Sequence, residues 1–386
     1  MKKMSRAWAY ALCLVLVMVG ATGCTARGGM SNPGWTVVSA ADDVVYAALP
    51  MGQVVALDAN AEGAEMWMYP VKQERSGVGG IGALFSKSAQ DADQPLDAVY
   101  GAPIVKGDLL LVSSYNHNLY AFDRASGDVV WGPFAAEEAI IGGVSVYDNV
   151  AYFGSSDYKV YAVDVETGQA VWDEPFATGH WVWGRPAVDA DYVYVGSMDR
   201  NVYAIDRATG QQAWQQPVGG SVPGTVTLSD GLLFVGGVDK QLHALDKNDG
   251  SEVWSQDLGH WVWGEALVQD NVVYAGSLDG KLHALGVEDG APQWNQPAIL
   301  EGALRAGPVS FGEQQLIVGT EAGIVYTIDT ESGEVDDLYT VEGAVLSTPA
   351  VVDDTVYVGT AAGIIYALDT AKSGDLQVWR YPPAKK

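Results

Sequence analysis

The sequence predicts an all-β fold made of one repeated antiparallel unit, and two features support this. In residues 191–214, YVYVGS and VYAID alternate apolar with small or polar residues, the turns MDRN and RATG separate the strands, and QQAW starts another strand. Close copies of this unit recur every 40 to 43 residues through most of the chain. A period near 40 residues with about four strands is typical of a propeller. The sequence therefore predicts an eight-bladed β-propeller of four-stranded antiparallel blades.

Three residue types keep step with the repeat: an aspartate that closes the third strand, a glycine that ends the following turn, and a tryptophan in the fourth strand. The aspartates are Asp58, Asp123, Asp164, Asp206, Asp246, Asp329 and Asp369. The glycines are Gly127, Gly168, Gly210, Gly250, Gly290, Gly333 and Gly374. The tryptophans are Trp67, Trp131, Trp172, Trp214, Trp254, Trp294 and Trp379. Gly286 breaks the aspartate series and Leu338 lies near the place of a missing tryptophan, so we expect blades six and seven to be the less regular ones.

The eight copies are expected to form one closed domain over residues 35–386. A single four-stranded sheet cannot bury both of its faces, whereas sheets stacked in a ring can. The recurrent aspartates precede tight turns, where a carboxylate accepts backbone N–H groups. We therefore interpret them as structural residues.

The repeat A-x-D-x-x-T-G-x-x-x-W, seen in AVDVETGQAVW (162–172) and AIDRATGQQAW (204–214), resembles the tryptophan-docking repeat of PQQ-type propellers. That family includes quinoprotein alcohol dehydrogenases and the lipoprotein of the outer-membrane barrel-assembly machinery (BamB). The resemblance covers residues 35 to about 382 and implies the propeller fold. It leaves the function open, because a propeller is a scaffold with many uses.

The N-terminal segment has the features of a lipoprotein leader. Residues 1–23 combine a basic start, an apolar stretch and small residues before Cys24, which is typical of a bacterial secretory signal. The sequence ATGC at 21–24 resembles a lipobox, so we expect cleavage before Cys24, lipidation of Cys24 and a tether over residues 24–34. The alternative is an ordinary signal peptide with an incidental cysteine. The lipoprotein reading predicts attachment to the cell envelope, at the periplasmic face of an outer membrane or the outer face of a plasma membrane.

The chain is strongly acidic, with a formal net charge of -27. Loss of Lys2, Lys3 and Arg6 with the leader would bring the charge to about -30, which repels phosphate backbones and anionic lipid headgroups. We therefore expect no nucleic-acid partner and membrane attachment through the lipid alone. We also expect a monomer. An acidic surface also suits a soluble exported domain.

One long insertion, residues 71–95, separates blades one and two. Its GVGGIG string matches a dinucleotide-binding pattern formally, but it does not join a strand to a helix within a βαβ unit. The apolar residues Leu84 and Phe85 lie in an otherwise polar loop, and such a segment can dock on a partner. The alternative is that both side chains fold back onto the propeller.

Two identical strings, GHWVWG at 179–184 and 259–264, precede the first strands of blades four and six. Because first strands lie nearest the propeller axis, we expect these loops to gather aromatic and charged side chains at one end of the central channel, as a candidate binding site. The alternative is that the tryptophans only fill a wide channel. The candidate residues are Tyr100, His180, Trp181, Trp183, Arg185, His260, Trp261, Trp263, Glu265 and Arg305.

No metal site or catalytic group is predicted. His180 and His260 lack further ligands nearby, while His243 and His283 occupy the place held by tyrosine in sister repeats and are interpreted as packed aromatics. The resemblance implies that a quinoprotein dehydrogenase would carry a vicinal disulfide and a calcium set of Glu, Asn and Asp. This chain has no Cys-Cys pair and no matching set. We therefore expect neither enzyme activity nor a cofactor.

Two functions follow as hypotheses. The first is a non-catalytic, lipid-anchored extracytoplasmic scaffold for an envelope protein partner, in the version that the resemblance implies an assembly factor for outer-membrane proteins. The second is a protein that binds PQQ or another aromatic ligand in the central channel, between Trp183, Trp263 and Arg305.

Overall fold

The computed structural model describes residues 34–70 and 96–384. These residues form eight four-stranded sheets, each made of four strands that are consecutive in the chain and paired antiparallel in chain order. The predicted eight-bladed propeller is thus confirmed. The leader, Cys24, the tether up to residue 33 and the insertion with Leu84 and Phe85 lie outside the described residues. The described part of the chain holds no helix with the length and apolar character needed to cross a membrane.

The strands are short, and the first strand of each blade is usually the shortest. Blades one to four contain β1 (Val37–Ala41), β2 (Val44–Ala48), β3 (Val54–Asp58), β4 (Ala64–Tyr69), β5 (Ile104–Lys106), β6 (Leu109–Ser113), β7 (Asn118–Asp123), β8 (Val129–Ala135), β9 (Ser145–Tyr147), β10 (Val150–Gly154), β11 (Lys159–Asp164), β12 (Phe176–Ala177), β13 (Ala187–Val188), β14 (Tyr192–Gly196), β15 (Asn201–Asp206) and β16 (Gln212–Pro217). Blades five to eight contain β17 (Thr227–Ser229), β18 (Leu232–Gly236), β19 (Gln241–Asp246), β20 (Glu252–Asp257), β21 (Leu267–Gln269), β22 (Val272–Gly276), β23 (Lys281–Gly286), β24 (Ala298–Ile299), β25 (Val309–Phe311), β26 (Gln315–Gly319), β27 (Ile324–Asp329), β28 (Val335–Thr340), β29 (Ala350–Val352), β30 (Thr355–Gly359), β31 (Ile365–Asp369) and β32 (Gln377–Tyr381).

The second and third strands carry the core on both faces. In blade four, β14 and β15 are buried along most of their length, because this blade packs against blades three and five. Val193 and Val195 belong to the cluster shared with blade three, while Tyr194 and Val202 belong to the cluster shared with blade five. Alternating side chains thus pack against opposite neighbours, as the pleat of a strand requires.

Each docking tryptophan packs on the glycine turn of the next blade. The Trp172 Nε1 donates a hydrogen bond to the Arg207 carbonyl at 2.9 Å. A Cβ on Gly210, whose φ is +71°, would lie 2.8 Å from the Trp172 ring, so this close approach requires glycine. The equivalent glycines lie in the same way on Trp67, Trp131, Trp214, Trp254 and Trp294. The fourth-strand tryptophan therefore connects neighbouring blades.

The turn aspartates are structural, as predicted. The Asp164 Oδ1 accepts backbone N–H groups from Glu166 and Thr167 at 3.1 and 2.8 Å, and the same pattern recurs at Asp123 and Asp329. Where Gly286 replaces the aspartate in blade six, Asp289 accepts the Ala291 N–H at 3.0 Å.

Blades six and seven are irregular, but so is blade three. In blades three and six the fourth strand has two residues, because two additional residues follow Trp172 and Trp294 before the chain rejoins the third strand. In blade seven the bulge is displaced, so that Asp336 and not Leu338 faces Thr327, the place of tryptophan elsewhere. No described atom lies within 4 Å of a Cβ built on Gly374, and blade seven has no tryptophan in its fourth strand to pack on that turn.

The ring closes between blades eight and one without a shared sheet. Both blades are built from contiguous segments, β1–β4 and β29–β32. The Tyr381 hydroxyl donates to the Glu65 Oε2 at 2.6 Å, and the Ser347 hydroxyl donates to the Thr36 carbonyl at 2.9 Å. Side chains of both blades, Val45 and Ile365 among them, form one buried cluster across the junction.

Candidate functional site

The loops that enter the first strands lie at the same end of the propeller as the turns between second and third strands. This end is called the mouth below. In seven blades one residue of the entering loop accepts a backbone N–H from the neighbouring turn through its carbonyl, at 2.8 to 3.1 Å. In chain order those residues are Ala98, Ala139, Trp181, Ser221, Trp261, Ala303 and Ala344. Five of the seven are alanine or serine, so the fold does not require a tryptophan at this position.

Trp181 and Trp183 form a stacked pair in the loop that enters blade four. Their ring centroids are 4.8 Å apart and their planes differ by 8°. Trp183 is 9% exposed, and its Nε1 donates to the Ser156 hydroxyl at 3.2 Å. Trp181 is half-buried. Trp183 therefore fills space inside the mouth, while Trp181 covers it and presents one face outward.

The second copy of the motif, in blade six, packs differently. Arg305 of blade seven lies over the Trp263 ring at 5.3 Å and pairs with Glu321. A guanidinium over an indole face is attracted by the ring quadrupole. The predicted proximity of Trp263 and Arg305 thus occurs in the structure, with Glu321 as a partner that the sequence did not reveal.

Arg185 and Glu265 form an ion pair that bridges blades four and six. The backbone N–H of Arg185 also donates to the Thr225 hydroxyl of blade five at 3.4 Å. The contact between residues two blades apart places this pair near the axis. Both side chains are about one-third exposed, at 37% and 34%, so the pair adds modest stability.

Neither histidine of the two motifs has the surroundings of a metal ligand. The His180 Nδ1 accepts the Trp181 N–H at 2.8 Å, and its ring lies 5.1 Å from that of Tyr158. The His260 Nδ1 is buried without a hydrogen bond. Within residues 34–70 and 96–384, no group of three or more His, Cys, Asp or Glu side chains could hold a metal ion.

Tyr100 lies at the mouth but contacts blade one. Its ring is 4.5 Å from that of Trp35 and 6.1 Å from that of Tyr115, both edge to face. Burial raises the pKa of Tyr100 to about 12. No ring contact among the described residues joins Tyr100 to Trp183 or Trp263. Trp35 is a further aromatic residue at the mouth, and its place just before β1 was the available signal.

His243 and His283 are packed in the third strands, as predicted. His243 is 3% exposed and contacts the carboxylates of Asp239 at 3.1 Å and Glu252 at 2.7 Å. Burial opposes its charge, but the hydrogen bonds to the two carboxylates outweigh burial and raise the pKa of His243. Burial lowers the pKa of His283, whose Nε2 has no hydrogen-bond partner.

The residues at the mouth do not fit PQQ, a tricarboxylate. Both guanidinium groups among the candidate residues, Arg185 and Arg305, already pair with Glu265 and Glu321. A bound tricarboxylate would have to displace these acids or lie beside them, and like charges held close together repel. We therefore derive no chemical step through this cofactor.

The comparisons with known proteins agree with this architecture. The model of the family described as outer membrane protein assembly factor BamB matches residues 21–174, 156–300, 198–338 and 298–384. Overlapping matches are expected when one unit is repeated along a chain. Together they cover well over half of the sequence.

Individual relatives are distant. The outer membrane protein assembly factor BamB of Burkholderia pseudomallei (strain K96243) is 29% identical over 135 residues, 34% of this chain and 30% of the relative's own length. The computationally designed Ika8 protein has a TM-score of 0.71 at 17% identity, covering 87% of this chain and 96% of that one. BamB from Moraxella catarrhalis has a TM-score of 0.69 at 19% identity, covering 86% and 95%. The two structures support the fold, and the family model matches most of the chain. The chain belongs to the family described as outer membrane protein assembly factor BamB.

Proposed function

We propose that this chain is a non-catalytic, lipid-anchored scaffold of the cell envelope that binds a protein partner in outer-membrane protein assembly. Family membership supports the assembly role. The leader and Cys24 support an anchor that holds the propeller outside the cytoplasm. The partner is an envelope protein, and the scaffold acts as a monomer.

The observation that carries the proposal is that two equivalent loop positions, in blades four and six, hold tryptophan: Trp181 and Trp261. Both occupy a backbone position that alanine or serine fills in five other blades with the same hydrogen bond. The tryptophans are therefore additions to the fold. Partly exposed tryptophan is enriched in the energetic centres of protein interfaces, because it combines a large apolar area with a hydrogen-bond donor.

The blade between the two motifs leaves room for a partner. At the positions of Gly179, His180 and Trp181, blade five carries Gly219, Gly220 and Ser221. Side chains this small produce a low segment between two aromatic loops. An inserted side chain or strand of a partner would therefore contact aromatic residues on both sides.

The charged candidate residues at the mouth are already paired. Arg185 pairs with Glu265 and Arg305 pairs with Glu321, although the chain as a whole carries -27. A centre with its charges already paired suits an apolar or aromatic contact.

The test is capture of partners by a Trp181→Ala, Trp261→Ala double variant. The full lipoprotein, extracted in detergent from its own membranes, is expected to retain a stoichiometric envelope protein. The double variant should fold normally, and its yield of that partner should fall about tenfold or more, because removal of two aromatic residues at the centre of an interface commonly costs more than about 1.4 kcal/mol. Val130→Ala with Val253→Ala, which removes exposed apolar groups from outer strands, is the matched control.

A second readout separates the scaffold from the assembly role. A deletion strain should show reduced outer-membrane barrel content, restored by the parent chain and not by the double variant. Normal barrel content in the deletion strain would exclude the assembly role and leave the scaffold.

Cys24→Ser tests the lipid anchor. This variant should move the protein from the membrane fraction to the soluble fraction, and an unchanged fractionation would remove the lipid anchor from the proposal.

The second candidate is binding of a small aromatic ligand at the same place. The parallel stacking of Trp181 on Trp183 and the cation over Trp263 show that these side chains can hold flat groups. The same capture experiment distinguishes it. A bound chromophore in the extracted protein, lost in the double variant, would favour this function over the scaffold.

A further inference from the structure

A basic residue connects neighbouring blades at three junctions, at the end of the propeller opposite the mouth. It is the residue that follows the third-strand aspartate. Arg124 pairs with Asp42 at 2.7 Å, Arg207 with Asp148 at 3.0 Å, and Lys247 with Asp189 at 2.7 Å. In each case the acid lies in the turn between the first and second strands of the preceding blade.

The same basic residue also accepts a hydrogen bond from the docking tryptophan of the preceding blade. Its carbonyl oxygen accepts the indole N–H of Trp67, Trp172 or Trp214 at 2.9 to 3.0 Å. One residue thus provides two groups to the preceding blade, a cation for a carboxylate and a carbonyl for an indole. Together they fill the outer end of the junction.

Within residues 34–70 and 96–384, neither interaction occurs at the junction between blades eight and one. Ala59 occupies the position of the basic residue, as its N–H bond to the Asp43 carbonyl shows, because Arg124, Arg207 and Lys247 make the same backbone bond. No cation contacts Asp353 among the described residues. Trp379 is 5% exposed, yet its side chain makes no hydrogen bond to any part of the chain that the structure describes. A groove of about 140 Å³ lies there, lined by Ala59, Asp353, Trp379 and their neighbours.

The absence of the basic residue does not by itself leave the indole N–H without an acceptor. At three junctions the residue after the third strand is Val165, Val287 or Thr330, and its carbonyl still accepts the tryptophan N–H at 2.7 to 3.0 Å. The seam between blades eight and one therefore differs from these, because among the described residues it combines an acid without a cation partner and a largely buried indole ring whose N–H has no acceptor. The Trp379 Nε1 is not sealed inside the seam, so its N–H is open to an acceptor from outside the chain.

We propose that this groove binds an arginine or lysine residue of a partner polypeptide. The cation of that residue pairs with Asp353, with Asp43 nearby, and its carbonyl accepts the Trp379 N–H. At three other junctions, the chain's own Arg124, Arg207 and Lys247 provide the same arrangement. The net charge of -27 favours the approach of a basic segment. The site is at the opposite end from the mouth, so it does not depend on the proposed scaffold function.

The experiment follows the indole N–H signal of Trp379 by NMR in the full chain, with the signal assigned by its loss in Trp379→Phe. The probe is N-acetyl-arginine methylamide, which carries one cation and two carbonyl groups. N-acetyl-citrulline methylamide, its neutral isostere, is the control. We expect the arginine probe to shift the signal and the citrulline probe to leave it in place.

Two variants locate the site. Asp353→Asn should weaken the arginine probe roughly threefold to fivefold, the effect of one partly exposed ion pair. Ala59→Arg should shift the signal without any probe and remove the response, because the groove is then filled from within. Asp230→Asn is the matched control, since Asp230 lies in the same turn of blade five at a junction where Trp254 is already bonded.

Several results would overturn the proposal. These are an unmoved Trp379 signal, equal shifts with the arginine and citrulline probes, or an unchanged response in Asp353→Asn. A Trp379 signal that shifts when residues 24–33 are removed, and not with the probe, would assign the groove to the chain's own N-terminal segment. If Ala59→Arg fails to fold, the probe pair and Asp353→Asn still decide the matter.

Discussion

A third-strand position shows how one fold uses two side chains for the same contact. Tyr161 and Tyr203 donate their hydroxyls to Asp157 and Asp199 at 2.6 and 2.7 Å. In blade five His243 makes the equivalent contact to Asp239. The exchange keeps an aromatic ring with a polar tip beside the acid, but it introduces a group that titrates near neutral pH.

The first prediction concerns the pH dependence of His243. Its pKa in the folded chain is raised above the unfolded value of about 6.5, so its stabilisation is fully present below that pH and is lost as the pH rises through the folded pKa. His243→Tyr should restore the tyrosine contact of the sister blades. The parent should lose stability relative to this variant as the pH rises above about 6.5, by about 1.5 to 3 kcal/mol in full, the value of one hydrogen bond to a charged group. Urea unfolding at each pH measures the difference.

His283 is the internal control for this prediction. Burial lowers its folded pKa, so its contribution is present above the unfolded value and is lost as the pH falls toward the folded one. His283→Tyr should therefore change the stability profile on the acid side of pH 6.5, opposite to His243→Tyr. The same slope in both variants would show that the carboxylates around His243 do not set its titration.

At the scale of the element, the unit of stability is the contact between a fourth-strand tryptophan and the glycine turn of the next blade. The glycine has two separate reasons to be there. Its positive φ disfavours a side chain, and the indole above leaves no space for one. The junction between blades seven and eight separates the two reasons, because blade seven has no tryptophan in its fourth strand while Gly374 keeps the positive φ.

The second prediction compares Gly210→Ala with Gly374→Ala. Gly210→Ala should cost the left-handed backbone strain of about 1 to 2 kcal/mol and a further 1 to 3 kcal/mol, roughly, for the overlap with Trp172. Gly374→Ala should cost the backbone strain alone, because no described atom lies near the added Cβ. Thermal and urea unfolding of both variants give the two values. Equal losses would mean that the tryptophan moves aside freely.

The blades were predictable from the sequence because their signals are local. Alternating strands, turn aspartates and the tryptophan recur at fixed spacing, and each reports a short-range requirement. The shortening of β12 in blade three was not predicted, although Asp164 and Trp172 keep the pattern. Its cause is two added residues after the tryptophan, which a count of spacing along a single repeat does not distinguish from a longer turn.

The candidate site was predictable in outline only. The identical GHWVWG strings indicated the mouth, and the structure brings Trp263 to Arg305 and Arg185 to Glu265. Which side chains pair across the axis depends on the ring geometry, so neither the Glu321 partner of Arg305 nor the contact of Trp35 with Tyr100 was predictable from spacing. The groove at Ala59 appears only when all eight junctions are compared in three dimensions.

At the scale of the whole molecule, the closed ring holds without exchange of strands between the first and last blades. Blades one and eight are each complete in themselves, and side-chain packing with two hydrogen bonds, from Tyr381 and Ser347, joins them. Like the seven others, the junction is therefore a contact between two complete blades, although the described residues show no hydrogen bond from the Trp379 indole there. The order of the blades in the chain should matter little to the folded ring.

The last prediction tests this with a circular permutant. Ala384 is joined to Gly34 by a flexible linker of about a dozen residues, and the chain is opened between Glu342 and Gly343, both exposed in the loop before blade eight. We expect cooperative urea unfolding within about 2 kcal/mol of the parent, because the entropy of loop closure varies slowly with loop length. Deletion of residues 343–386 should instead abolish cooperative unfolding, since it exposes Val45 and Val55 of blade one. A permutant that unfolds like this deletion would show that the covalent order of the blades, and not the packing at the seam, holds the ring closed.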